Sequence, residues 1–179
     1  MRLEHAAGLF AIMRDDEDMW RYLPHHMPHS ICDTEAWMTP SLAVRERGLS
    51  LPFVVFALSN GAIAGTTSFS LISEANRSID IGGTAYGREY RRTAVNTECK
   101  YLMLAHAFET MGCIRVTFHT DARNDRSQRA IERIGGVRED IMRRDRIVKD
   151  GYARDSVLYS ILDDEWPAVK ARLEEMLRR

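Results

Sequence analysis

Cysteine is scarce in this chain, and its spacing is uninformative. Cys32, Cys99 and Cys113 are an odd number with no C-x-x-C pair. That argues against a disulfide framework or a cysteine zinc site, and for a reducing compartment. Long apolar runs are missing too, so no segment reads as a membrane span. The opening Met1-Arg2-Leu3-Glu4-His5 has no apolar core of a secretion signal. A cytoplasmic protein without a membrane partner is expected. Charge of one sign is also lacking. The formal net charge is −1, and arginines alternate with acids, as in Arg143-Arg144-Asp145-Arg146. No global field recruits nucleic acid. Repeats, low-complexity tracts and linkers are absent, so residues 1–179 read as one domain with enough chain for a real core.

What is present changes period along the chain. Leu3, Ala6, Ala7, Phe10 and Met13 have helical spacing over 3–16. Residues 20–33 hold Pro24, Pro28, His25, His26 and His29 and read as a loop. Thr34 is the expected cap of a second helix to about Arg47, bent or restarted at Pro40 and stopped by Gly48. Leu51–Ser59 and Ala62–Ile72 are strands around the hairpin turn Asn60-Gly61. Arg77–Ala85 is a third strand, and Gly82-Gly83 inside it predicts a bulge. Residues 96–111 form the clearest helix, Cys113–Thr120 a strand and Asn124–Ile134 a short helix. Val137–Val148 and Tyr152–Leu162 make a hairpin, and Asp163 or Asp164 is the expected cap of a last helix. The sum is an α/β layer fold with a mixed sheet.

Two segments can carry chemistry. In Gly87–Glu98, a strand feeds a loop at a helix N-terminus, behind Arg88, Arg91 and Arg92. Free N–H groups and the helix dipole suit an anion such as a pyrophosphate, and a solvated basic loop is the alternative. In Asn124-Asp125-Arg126-Ser127, the asparagine either caps the helix or bonds an amide-bearing cofactor; Ser127 either meets a leaving group or helps the cap. The three loop histidines invite a metal, but Pro24 and Pro28 prevent a helix that would stack them, so no metal site is expected.

These pieces resemble the GNAT superfamily of N-acetyltransferases, specifically its RimJ/RimL-like branch. The resemblance runs from about Leu51 to Leu162. It rests on Ile81-Gly82-Gly83-Thr84, on Glu89–Glu98, and on Thr120–Gly135, which matches Asn-x-x-Ser-x-x-Ala-x-x-x-x-Gly. It implies a GNAT fold: a mixed central sheet splayed into a V between the third and fourth strands, with helices on both faces. It implies acetyl-CoA in that V. The pantetheine arm would pair near Thr84, Ala85 and Tyr86, and the pyrophosphate would lie on Arg91, Arg92, Thr93, Ala94, Val95, Asn96 and Thr97. Asn124 and Ser127 would meet the pantetheine and the sulfur side. The family loop reads Gln/Arg-x-x-Gly-x-Gly/Ala, and here Ala94 and Asn96 stand at its glycine positions. A Cβ at Ala94 is expected to crowd a phosphate or oppose a positive φ. Ile131 stands where many relatives carry an acidic tyrosine, which leaves Ser127 as the proton donor. The family's strand before helix 1 has no counterpart, so an apolar edge at 51–59 is expected to need cover, by a homodimer or by the chain itself.

The resemblance thus implies direct attack of a primary amine on acetyl-CoA in a ternary complex. The acceptor is a protein N-terminal amine or a small-molecule amine. Asp80, beside the bulge, is the leading base, with Glu98 and His119 as rivals. Trp20, Tyr22 and Trp37 either line the acceptor pocket or pack in the core. The rival function is a non-catalytic module that senses acyl-CoA.

Overall fold

The helix expected over 3–16 stops early because the chain turns at Asp15, a non-glycine residue at φ 60°. A tight turn at Leu3–His5 leads into α1 (Ala6–Met13). A further short helix, α2 (Glu17–Trp20), follows the turn, capped by Asp16, whose carboxylate accepts from the Met19 N–H at 3.3 Å. The computed structural model describes residues 1–178.

α3 (Ile31–Glu46) begins four residues before the start expected from a cap at Thr34. Its cap is Ser30, which accepts from the Asp33 N–H at 3.0 Å, and not Thr34. Thr34 is buried one turn in, and its hydroxyl donates to Ser30 O. A serine hydroxyl caps as well as a threonine, so burial of Thr34 decides the register. α3 continues through Pro40 rather than restarting there.

The strands are β1 (Ser50–Phe56), β2 (Ile63–Ser73), β3 (Ser78–Tyr86), β4 (Arg115–Asp121), β5 (Val137–Ile147) and β6 (Ala153–Leu162). α4 (Val95–Ala105) joins β3 to β4 and ends in a wide π-type turn at His106–Thr110. α5 (Asp125–Arg133) follows β4, and α6 (Trp166–Arg178) closes the chain. The start of α6 lies at Glu165 rather than at either aspartate. Val169 N–H bonds Glu165 O, and the Glu165 carboxylate accepts from Leu162 N–H.

The strands form one mixed sheet in the order β1-β2-β3-β4-β6-β5. Among the described residues, only β3 and β4 are parallel neighbours. One face carries the main core, where Ile79, Ile81, Val116 and Phe118 pack with Leu104, Ile131 and Leu173 from α4, α5 and α6. The opposite face, over β1 and β2, is covered by α1, α2 and α3 through Leu9, Met13, Trp20 and Met38. Helices therefore flank both faces, as the sequence led us to expect. Trp20 is fully buried, donates from its indole to Met13 O, and meets Trp37 edge to face. It is a core residue. β1 is one edge of the sheet, and the Met1 ammonium donates to Pro52 O there at 2.9 Å. Among the described residues, no helix is long and apolar enough to cross a membrane.

Candidate active site

Pairing of the parallel strands stops early. β3 and β4 match at Ser78↔Arg115, Ile79↔Val116 and Asp80↔Thr117, and there it ends. Beyond Asp80 the rest of β3 faces β4 without a ladder. This is the V expected between the third and fourth strands. Its β3 wall runs through Thr84, Ala85 and Tyr86, the residues expected to pair with a pantetheine arm. The expected bulge is present: Thr66 faces Ala85 and Ser68 faces Gly82, so β3 carries one residue more than β2. Gly83 takes the positive φ, 58°, and a Cβ there would sit 2.8 Å from Ser68 Oγ.

β3 and β4 are parallel and each feeds a helix, so both helix N-termini lie at the same end of the V. At α4, Thr93 Oγ accepts from the Val95 N–H at 3.3 Å and donates to Tyr90 O at 2.7 Å. The first-turn N–H groups of Asn96 and Thr97 have no carbonyl one turn back within the helix. The first regular turn bond is Glu98 N–H to Ala94 O. Ala94 sits in the right-handed helical region, at φ −66°. Its side chain therefore opposes no positive φ, which corrects that part of the expectation. The left-handed residue of the loop is Arg92, at φ 63°. Arg91 is turned inward: its Nε donates to Tyr86 O at 2.9 Å and its guanidinium pairs with the buried Asp16. It clamps the loop to α2. A cation that the sequence did not single out stands in its place, since Arg133 of α5 donates to Thr97 Oγ at 3.0 Å. Only the packing of α5 across α4 reveals it.

At α5, Asn124 caps the helix by accepting from the Ser127 N–H at 3.1 Å. The capping alternative is thus realised, and the Asn124 amide NH2 and the Ser127 hydroxyl have no hydrogen-bond partner among the described residues. Ile131 is buried in the main core.

The two sides of the sheet at the V differ in chemistry. On the α4 side, Lys100 is buried with its ammonium 2.8 Å from Thr84 Oγ and 3.3 Å from Thr67 Oγ. Burial pulls its pKa down to about 8, against a partial opposing pull from Cys99 and Asp80. Sequence reading missed this residue, because its place on the buried side of α4 looks like any charged helix position. On the other side, alternation along the strands turns Asp80, Thr117, His119 and Asp121 away from the core. Asp80 is buried and accepts from Ser70 Oγ at 2.9 Å, Thr117 Oγ at 3.2 Å and His119 Nδ1 at 2.7 Å. Glu98 lies in the first turn of α4, outside this cluster. A small surface hollow of about 200 Å³ lies at the N-terminus of α5, lined by Asp18, Tyr22, Arg123 and Asn124 among others. Tyr22 thus lines a surface hollow, while Trp20 is buried in the core. His26 approaches Asp150 at 3.6 Å, and among the described residues no group of three or more His, Cys, Asp or Glu is placed to hold a metal.

A parallel pair that splits after three rungs, a bulged wall and two helix N-termini at its mouth make an open cleft in the sheet. The model of the acetyltransferase (GNAT) domain matches residues 1–137, so the chain belongs to the GNAT acetyltransferase family. A solved GCN5-related N-acetyltransferase from Brucella melitensis is 30% identical with a TM-score of 0.89, covering 96% of this chain and 77% of that one. Mycobacterium smegmatis RimJ, solved in complex with CoA-disulfide, is 23% identical with a TM-score of 0.84 over 99% of this chain and 87% of its own, and shares the fold. In sequence, a Bacillus subtilis (strain 168) protein provisionally named ribosomal N-acetyltransferase YdaF is 29% identical over 113 residues. That match spans 63% of this chain and 61% of the relative's length.

Proposed function

We propose that this protein, a single domain, transfers the acetyl group of acetyl-CoA to a primary amine by direct attack in a ternary complex, in the cytoplasm. The observation that carries the reading is the β3 edge left open beyond Asp80↔Thr117, with the N-terminus of α4 at its end. The residues present fit the co-substrate. The β3 backbone at Thr84–Tyr86, paired with β2 on one side and without a strand on its β4 side, can take a strand-like arm. The loop Arg92–Thr97, with Arg133 beside it, suits a pyrophosphate. The free Asn124 amide suits the arm's carbonyls, and the free Ser127 hydroxyl suits the sulfur. When bound, acetyl-CoA supplies the acetyl thioester.

The chain's own residues do the rest. Ser127 offers a proton to the departing sulfur, in a helix position set by its N–H bond to Asn124. The Asp80–His119 cluster serves the acceptor side, because an amine attacks only when neutral. A lysine ammonium with a pKa of about 10.4 needs more help than an α-ammonium near 8. The Bacillus relative's name points to a protein acceptor, and we favour an N-terminal amine over a small-molecule amine. The rival reading, a non-catalytic sensor of acyl-CoA, rests on Ala94 and Asn96 at the loop's glycine positions. With Ala94 at φ −66° the backbone gives it no support.

The test is a panel of peptide N-termini and small amines with acetyl-CoA, read by free-thiol release, beside calorimetric titration with CoA. Turnover of at least one amine is expected. CoA binding without turnover on any amine favours the sensor.

A further inference from the structure

Asp80 is placed to hold something rather than to meet a substrate. Its side chain is only 8% exposed. One oxygen accepts from Ser70, and the other accepts from Thr117 and from His119 Nδ1. Three of the carboxylate's roughly four acceptor positions are thus taken by protein donors, and the group is buried. His119 differs. Its Nδ1 is occupied at 2.7 Å, while Nε2 has no partner among the described residues and the side chain keeps 15% exposure. With Nδ1–H donated to a carboxylate, the neutral ring presents an unprotonated Nε2.

The position of that nitrogen is as telling as its partner. The last rung of the parallel ladder is Asp80↔Thr117. His119 is the next β4 side chain on the same face, so it is the first one beyond the split. Across the opening, the matching β3 position is Gly82, which has no side chain to fill the space. A Cβ there would come within 3.0 Å of Asp80 Oδ1. In the row across the sheet, β6 places the apolar Leu158 opposite His119, and β5 places Asp140 opposite Leu158. Along β4, Asp121 is held by Arg123. From the far side of the sheet, Lys100 of α4 feels the Asp80 charge.

Resting on the acetyltransferase reading, we propose that His119 is the catalytic base, taking a proton from the acceptor's ammonium at Nε2, and that Asp80 is its positioning residue. The ammonium nitrogen loses one proton to Nε2, and Asp80 balances the resulting imidazolium charge. The freed lone pair forms the C–N bond as the C–S bond breaks and the electron pair leaves with sulfur. Ser127 gives its hydroxyl proton to that sulfur and is reprotonated by the nitrogen's surplus proton, and the imidazolium returns its own proton to solvent. The protein that results is regenerated with His119 neutral.

The experiment follows the histidine directly. In protein labelled with nitrogen-15 at histidine, long-range proton–nitrogen NMR of the wild type is expected to show His119 protonated at Nδ1 and bare at Nε2 at high pH. Its titration midpoint is expected to coincide with the acidic limb of kcat/KM, and in Asp80→Asn both are expected to move to lower pH together. His119→Gln is expected to lose roughly 10²–10⁴-fold in kcat on an alkyl amine, with the calorimetric Kd for CoA within twofold of wild type. With an aromatic amine, already neutral at assay pH, the same variant is expected to lose less than about tenfold, since general-base assistance is the part removed. A protonated Nε2 in the wild type, equal losses on both amines, or a wild-type pH profile in His119→Gln overturns the assignment. If the wild type turns over no amine at all, the acetyltransferase reading itself falls. Wild-type turnover matched by His119→Gln instead refutes only the role of His119.

Discussion

Replacing Lys100 by methionine is expected to stabilise the protein at neutral pH. Methionine nearly matches the lysine stem in length and carries no charge. The lysine is buried, and its ammonium meets two threonine hydroxyls but no carboxylate. Its pKa falls from an ordinary 10.5 to about 8, first through burial. At about 1.36 kcal/mol per pH unit, holding the charge in place costs roughly 3 kcal/mol. Part of the gain is offset by lost hydrogen bonds, but Thr67 and Thr84 hydroxyls also bond each other at 2.9 Å and keep that partner. A net gain of about 1–3 kcal/mol is expected at pH 7. The sign of the pH dependence follows from linkage. Below pH 8 the lysine is protonated both folded and unfolded, and the full cost applies. Between about 8 and 10.5 the unfolded chain holds the proton and the folded protein does not, so wild-type stability rises with pH through this group. Lys100→Met lacks that rise. Urea unfolding of both proteins at pH 7, 8, 9 and 10 reads the difference, which is expected to shrink toward zero at the alkaline end. A variant less stable at pH 7, or a difference that does not change with pH, refutes the reasoning.

If the α4 N-terminus holds a pyrophosphate, CoA at a hundredfold excess over its Kd raises stability by about 2.7 kcal/mol, and pantetheine lacking the phosphates protects far less; equal thermal shifts remove the phosphate from the loop. Ala94→Gly is expected to leave the calorimetric Kd for CoA within about twofold, and to lower stability by roughly 0.5–1 kcal/mol, because glycine gains nothing at φ −66°. A marked tightening instead shows that the Cβ crowds the ligand. We also propose a homodimer formed through the β5 edge, where Val137, Ile141, Met142 and Ile147 are all exposed. Light scattering at micromolar concentration is expected to give twice the chain mass, and Ile141→Lys to return the monomer; a wild-type monomer refutes it.

The strands and the long helix were legible because their signals are local. The turn Asn60-Gly61, the alternation around it and the paired glycines in β3 need no partner to be read, and β1, β2 and the bulge fall where they point. The Asn-x-x-Ser pattern likewise located α5 and its cap. Helix boundaries were less legible. Ser30 and Thr34 are equally good caps in sequence, and only the burial of Thr34 chose between them.

The site divides along the same line. Sequence alone pointed to the segments we propose for acetyl-CoA, since a strand, a loop and a helix N-terminus are contiguous in the chain and suit an anion. It also placed Asp80 beside the bulge. What Asp80 does there was decided only by tertiary structure. Its partners Ser70, Thr117 and His119 come from two other strands, 10, 37 and 39 residues away in the chain. The inward turn of Arg91 toward Asp16, 75 residues away, and the reach of Arg133 to Thr97 are decided in the same way. Whether a charged side chain faces a ligand or a buried counter-charge depends on which elements pack against it. That information is absent from any one stretch of chain and appears only when the sheet assembles.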